Sequence, residues 1–242
     1  MLDRPLVVSA RGLGRVVRGA ELGELHIALA QAAVWVPQQE ERAAEAAAMA
    51  ELAELGKVDG RGRIDPDLLA TVSLLCRPRT EFYGWITSGD RTIGVLAAAS
   101  GRDAVLAVRV DESIHLRQIS PDRLPDALVE QVPDVRPGQG QAFTVSPPEP
   151  SVRQYTSKGG GSPEIALAQR IAELPTTGGG QLSVAVRDQS NRRSAAPHPL
   201  RYADSTRGRW LNHTLPGSRV VIAPAGKADL VKRLKDLHRA LT

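Results

Sequence analysis

The stretch that decides the fold runs from residue 81 to 119 and reads EFYGWITSGDRTIGVLAAASGRDAVLAVRVDESIHLRQI. Short runs of β-branched and small apolar residues alternate there with turns rich in Gly, Asp and Ser. Runs of this length, bounded in this way, are typical of antiparallel hairpins. The predicted strands are Glu81 to Thr87, Arg91 to Ala98, Ala104 to Val110 and Ser113 to Ile119.

Predicted helices lie on both sides of this meander. Residues 65–67 (DPD) give a capping residue, a proline at the first helical position and an acid near the positive helix end. Residues 120–122 (SPD) repeat the pattern after the last strand. One unit of helix, four strands and helix therefore extends over about residues 65–131.

The same order recurs from about residue 162 to 241, opened by SPE at 162–164 and closed by a leucine-spaced helix over 225–240. Such a repeat predicts an α+β fold with a quasi-two-fold central antiparallel β-sheet built from two β-meanders. Helical bundles would flank it at the N-terminal and C-terminal ends. The second set of predicted strands is Gln181 to Arg187, Leu200 to Ala203, Arg207 to His213 and Ser218 to Ile222.

We expect a single domain over residues 1–242, with halves at roughly 1–146 and 162–242 joined by a Pro/Gly-rich linker at 147–161. Four segments outside the regular pattern are interpreted separately. They are a helix capped by Ser9, a strand at Glu24 to Ala30, a short strand at Ala142 to Val145 and a glycine loop at Thr177 to Gly180. The Ala/Glu-rich run from Gln38 to Leu55 predicts a further helix.

Composition narrows the function classes. The chain has 242 residues, of which 42% are hydrophobic and 24% charged, with a net charge of +4. The positive charge is spread along the chain with acids interleaved, and its densest spots are Arg192-Arg193 and Lys232-Arg233-Lys235. This distribution argues against nucleic acid as a partner, and a basic nucleic-acid-binding or regulatory module stays the alternative. The single cysteine, Cys76, excludes an internal disulfide. The sequence has no apolar run long enough to predict membrane insertion, so we expect the protein to be cytoplasmic.

A search for reaction chemistry finds no catalytic, cofactor-binding or metal-ligating residues. No histidine stands four residues from another, and there is no cysteine pair. Residues 157–162 (SKGGGS) precede a helix, but Lys158 comes before the glycines, the reverse of a phosphate-binding loop. The sequence therefore predicts a binding scaffold without a cofactor and not an enzyme.

Residues 204–210 (DSTRGRW) stand out as a motif. Two arginines could clamp an anion. The favoured interpretation is structural: a turn between strands, with Asp204 binding local backbone N–H groups, Gly208 relaxing the chain and Trp210 anchoring the next strand. Arg207 and Arg209 belong to the same turn motif.

The chain resembles the EspG family of ESX (type VII) secretion-associated proteins from actinobacteria. The resemblance covers residues 5–241 and includes LAELGKVDGRGRIDPDLLATVSLLCRP at 52–78 and GVLAAASGRDAVLAVR at 94–109. The C-terminal match consists of Arg187-Asp188, Arg192-Arg193, Pro199 to Tyr202, Asp204 to Trp210 and the strand Val220 to Pro224.

This resemblance implies a cytosolic chaperone that binds a PE–PPE-like or other helical-hairpin secreted heterodimer as a 1:1:1 complex. It would cover an aggregation-prone tip of that client until export. We expect the second half to supply the apolar contact surface. The predicted partner-binding residues are Leu174, Leu182, Val184, Leu230 and Leu234.

Overall fold

Both predicted meanders belong to one sheet. The structure, a computed structural model, describes residues 2–30, 37–146 and 163–242. Within these residues the sheet has eleven strands. They are β1 (Leu6–Ser9), β2 (Thr80–Ser88), β3 (Arg91–Ser100), β4 (Asp103–Val110), β5 (Ser113–Gln118), β6 (Phe143–Val145), β7 (Thr176–Arg187), β8 (Arg193–Ala195), β9 (Leu200–Ser205), β10 (Gly208–Thr214) and β11 (Val220–Pro224).

Helices precede and follow each meander, as the capping patterns predict. Asp65 caps its helix by accepting a hydrogen bond from the Leu68 backbone N–H at 2.9 Å. Single 3-10 turns occur at Pro121–Arg123 and Pro216–Ser218. The α-helices are α1 (Ala10–Gly19), α2 (Gln38–Glu54), α3 (Pro66–Cys76), α4 (Leu124–Glu130), α5 (Pro163–Ala172) and α6 (Lys227–Arg239).

The strand order is β1-β5-β4-β3-β2-β7-β9-β10-β11-β6, with β8 paired to β7. The two meanders therefore meet at β2 and β7, which pair antiparallel from Thr80 opposite Val186 to Ser88 opposite Gly178. Each half adds strands outward in the same sequence from this centre. The predicted fold class, an α+β body with a quasi-two-fold antiparallel sheet, is confirmed. The proposed linker at 147–161 lies outside the described residues.

Two local predictions are wrong. The segment Glu24 to Ala30 is a loop with a turn at its end and not a strand. The predicted loop at Thr177 to Gly180 belongs to β7. Its glycines are there for close packing, because a Cβ at Gly180 would overlap the Tyr202 ring. The strand at Phe143–Val145 and the Ser9 cap are confirmed, the latter by a 2.9 Å hydrogen bond from Gly12 N–H to Ser9 Oγ.

The two faces of the sheet carry different cores, and we name each face after a helix that covers it. On the α6 face, α4 and α6 pack over both halves, and the core there includes Phe82, Leu106, Leu182 and Leu230. On the α1 face, α1, α2 and α3 cover the first half, and the core includes Leu13, Leu52, Leu75, Leu96 and Leu116.

Candidate functional site

Among the described residues, no helix covers the α1 face of the second half as α1, α2 and α3 cover the first half. Helix α3 buries Leu68, Val72 and Leu75, whereas α5, which occupies the same place in the second unit, has no fully buried residue among its ten. Helix α5 touches the sheet at β6, the edge strand. Ala203, in the middle of this half, is exposed. In residues 37–146 and 163–242, the second half therefore presents an open sheet face.

One straight row of side chains crosses this face. The pairing register places these six residues side by side on β2, β7, β9, β10, β11 and β6. Five are half-buried, and Arg201 is exposed. We call this set the open row: Trp85, Gln181, Arg201, Asn212, Ile222 and Phe143.

The chemistry of the open row suits protein binding. Trp85 stands at one end, and Ile222 and Phe143 stand at the other, so both ends are apolar. Gln181, Arg201 and Asn212 lie between them and offer hydrogen-bond donors and acceptors. Large aromatic and aliphatic side chains supply most of the energy of protein interfaces, while polar groups fix orientation. The six side chains of the row include no nucleophile and no acid. The row can therefore bind the surface of another protein but offers no reacting group.

A buried polar cluster borders the row on β2. Glu81 is 2% exposed and accepts a hydrogen bond from Arg193 Nε at 2.6 Å, and Arg193 Nη2 forms an ion pair with the same oxygen at 2.5 Å. His26 Nε2 lies 3.8 Å from the same carboxylate. Burial alone would raise the pKa of Glu81, but the neighbouring His26 and Arg193 side chains outweigh burial and lower that pKa. The carboxylate is therefore held ionised between the two halves.

An aromatic chain connects this cluster to the open row. The rings of His26 and Tyr83 meet edge to face at 4.7 Å, and those of Tyr83 and Trp85 at 6.4 Å. The Arg193 guanidinium lies 5.5 Å from the Tyr83 ring centre, a cation–π distance. Tyr83 therefore lies between Trp85 and the cluster around Glu81.

The structure separates the five predicted partner-binding residues. Leu182 and Val184 on β7 and Leu230 and Leu234 on α6 are 0% exposed and belong to the core of the α6 face. These four side chains therefore pack on the α6 face of the sheet, opposite the open row. Leu174 lies two residues after the end of α5 and is half-buried. A contact with a partner stays a prediction for all five.

The DSTRGRW motif forms a buried clasp in the structure. Asp204 and Arg209 are 2% and 0% exposed and face each other from β9 and β10. The Asp204 carboxylate accepts hydrogen bonds from Arg209 Nε at 2.6 Å and from Arg209 Nη2 at 2.9 Å. Its partner is therefore this guanidinium, whereas the sequence led us to expect local backbone N–H groups. Arg209 Nη2 also donates to the Pro133 carbonyl at 2.9 Å. The clasp fastens the segment after α4 to the second meander.

Gly208 and Trp210 complete this clasp. Gly208 has a φ of 111° and lies against the carbonyl oxygens of Arg136 and Pro137, where a Cβ would come within 2.8 Å of both. The Trp210 indole packs directly on Gly138. Arg207 is exposed at the turn. The anion-clamp alternative would require a free Arg209, whereas this guanidinium is fully buried and paired.

Other candidate chemistry finds little support. Among the described residues, no group of three or more His, Cys, Asp or Glu side chains could hold a metal ion. Burial raises the pKa of the Cys76 thiol to about 11, which disfavours the reactive thiolate. The basic spots are partly neutralised, since Arg192 pairs with Asp188 and Lys235 pairs with Asp126. No helix in the described parts of the chain combines the length and apolarity needed to span a bilayer.

Sequence reasoning missed the open row, although one signal was available. Residues 200–205 (LRYADS) alternate in burial, with Leu200, Tyr202 and Asp204 inward and Arg201 and Ala203 exposed. That alternation predicts an exposed sheet face on β9. The row itself requires the register of five strand pairs, which the sequence does not supply.

Fold and site together define a sheet scaffold with one helix-covered half and one open half. The family model described as the EspG family matches residues 9–236, and the chain belongs to this family. No curated protein sequence matches the chain significantly.

Among solved structures, the chain is similar to the type VII secretion system chaperone EspG5 of Mycobacterium tuberculosis, a structure determined in complex with the PE25–PPE41 dimer. The identity is 13% and the TM-score 0.69, over 99% of this chain and 97% of that chain. At this identity the likeness establishes the shared fold.

Proposed function

We propose that this protein is a chaperone of a type VII (ESX) secretion system that binds a helical secreted heterodimer of the PE–PPE kind. Membership of the EspG family and the fold shared with EspG5, a chaperone seen bound to a PE–PPE dimer, support this function. The observation that carries it is the open α1 face of the second half. There a client could cover the open row without unfolding any part of the chaperone.

The open row fits the problem that such a client poses. An exposed apolar tip on a helical dimer favours self-association, and a partner that buries the tip prevents it. Interfaces of standard size bury about 1,600 Å² in total, with a few central anchors carrying most of the energy. Trp85, Ile222 and Phe143 are the anchors in this proposal. Gln181 and Arg201 then bind carbonyl or carboxylate oxygens of the client.

We further propose that the contact surface extends onto α5, with Leu174 at its border. Leu182, Val184, Leu230 and Leu234 would contribute through the sheet that they support. The complex would be 1:1:1 and cytoplasmic, and the protein would act by binding and not by catalysis. Residues 1–146 and 162–242 would act as two halves of one domain.

Co-expression tests this function. A PE–PPE-like heterodimer co-expressed with this protein should co-elute with it as a 1:1:1 complex on size exclusion. Ile222→Glu should abolish co-elution, because a charge on the open row has no partner in an apolar interface. Val7→Glu is the matched control, since Val7 is 49% exposed on the opposite face. Independent elution of the wild-type chaperone would contradict the proposal.

A second assay addresses the alternative. Retention on DNA or RNA columns that falls steeply with salt would favour a nucleic-acid-binding module. We expect the wild-type protein to pass through such columns at physiological salt.

A further inference from the structure

The loop before α2 holds one apolar side chain out into solvent. Ile27 is 65% exposed, whereas Val7 and Leu55, the other exposed large hydrophobic residues of the described chain, are 49% and 38% exposed. Its two following neighbours are buried, Ala28 at 1% and Leu29 at 0%. An isoleucine held outward beside two buried residues differs from one on a fraying terminus, because little further conformational entropy is lost when it binds a partner.

Backbone contacts fix this loop on the sheet. The backbone N–H groups of Leu29 and Ala30 both donate to the His26 carbonyl, at 2.8 and 3.0 Å. Arg109 on β4 donates to the Ala30 carbonyl. The Ala28 carbonyl lies so close to Gly94 on β3 that a Cβ at this glycine would overlap it. The loop therefore rests directly on the α1 face at Gly94.

The Glu81 cluster fixes the loop from the side. The Ala28 N–H donates to His26 Nδ1 at 3.2 Å, so the His26 ring closes the turn that carries Ile27. The other ring nitrogen, Nε2, is buried and faces Glu81 at 3.8 Å. Glu81 is held in turn by Arg193 of the second half.

The register shows where this loop lies relative to the open row. Gly94 pairs with Trp85 across β3 and β2. The loop that rests on Gly94 thus stands one strand away from Trp85, on the same face. It marks the boundary between the covered first half and the open second half.

We propose that Ile27 is an anchor for the client at the Trp85 end of the open row, and that Glu81 is a positioning residue that holds it there. The occupant is an apolar face of a helix of the client, bounded by Ile27 on one side. Continuity with Trp85 supports this choice, because together they extend the apolar end of the row. This inference rests on the proposed function.

Binding affinity tests the anchor. Ile27→Glu should weaken binding of the co-expressed helical heterodimer by at least about tenfold, as loss of an interface anchor does. Leu55→Glu is the matched control, because Leu55 is also exposed, at 38%, but lies at the end of α2. Its affinity should stay within about twofold of wild type. Thermal unfolding of both variants should match wild type.

A double-mutant cycle tests the positioning role. Glu81→Gln should weaken binding in the wild-type background and add nothing in an Ile27→Ala background, since the two residues would act as one unit. Glu81→Asp, which keeps the charge, should recover part of the affinity. Equal losses in both backgrounds would overturn the positioning role even if the stability of Glu81→Gln falls.

The outcomes separate this inference from the function beneath it. Failure of the wild-type protein to bind any helical heterodimer overturns both. Wild-type binding that Ile222→Glu abolishes and Ile27→Glu leaves intact overturns the Ile27 anchor alone. Equal losses for Ile27→Glu and Leu55→Glu overturn the anchor as well, because charge and not position would then be responsible.

Discussion

The two halves of the α1 face have the same strand architecture and opposite surroundings. In the first half, three helices bury Leu96, Val105 and Leu116 against the sheet. In the second half, α5 sits at the edge, and the middle strand β9 exposes Arg201 and Ala203. A duplicated unit can thus use one copy to build a core and leave the other free to receive a partner.

The largest expected effect comes from placing a charge on each half. Ala107→Glu should strongly destabilise the whole domain, because Ala107 is 0% exposed and a buried, unpaired carboxylate costs about 4 kcal/mol or more. Ala203→Glu on the exposed face of β9 should change stability by less than about 0.5 kcal/mol. Chemical denaturation measures both.

The same pair separates stability from binding. Ala203→Glu should keep the wild-type fold and lose affinity for the client, because it lies next to Arg201 on the open face. A large loss of stability in Ala203→Glu would show that this face is covered in solution. The contrast between the halves would then be wrong.

The second prediction concerns how the second half is fastened. With less helical cover on its α1 face, it relies on the Asp204–Arg209 clasp to attach the segment after α4. Asp204→Ala should destabilise the protein by about 3–5 kcal/mol, because it leaves a buried guanidinium without its counter-ion. Arg207→Ala, at the exposed turn beside it, is the matched control. A loss below about 1 kcal/mol for Asp204→Ala would mean that the clasp is not structural.

Particular residues show what the sequence could and could not predict. The first meander follows from local turn chemistry, and its predicted strands lie within two residues of β2 to β5 at every end. The start of β7 was missed because Gly178 and Gly180 indicate a loop locally, while their packing against Thr87 and Tyr202 is tertiary. The difference between α3 and α5 was also hidden, since both helices have an apolar stripe. Only the sheet order reveals which stripe is buried.

The smallest predicted effect is the pH dependence of the contact between the halves. The pKa of Glu81 is lowered in the folded protein from an ordinary value of 4.5, so its ionised form stabilises the native state. This contribution should be fully present above pH 4.5 and should be lost as the pH falls through the lower folded pKa. His26, Tyr83 and Arg193 are the titratable groups that face it.

Unfolding free energies of wild type and Glu81→Gln, measured from neutral pH to below pH 4, should therefore converge at the acid end. Glu40→Gln, at an exposed position on α2, should run parallel to wild type throughout. If the two unfolding free energies still differ below the folded pKa of Glu81, the stabilisation comes from packing and not from the ionised carboxylate. The Glu81 side chain would then stabilise the contact between the halves through van der Waals packing and not through its charge.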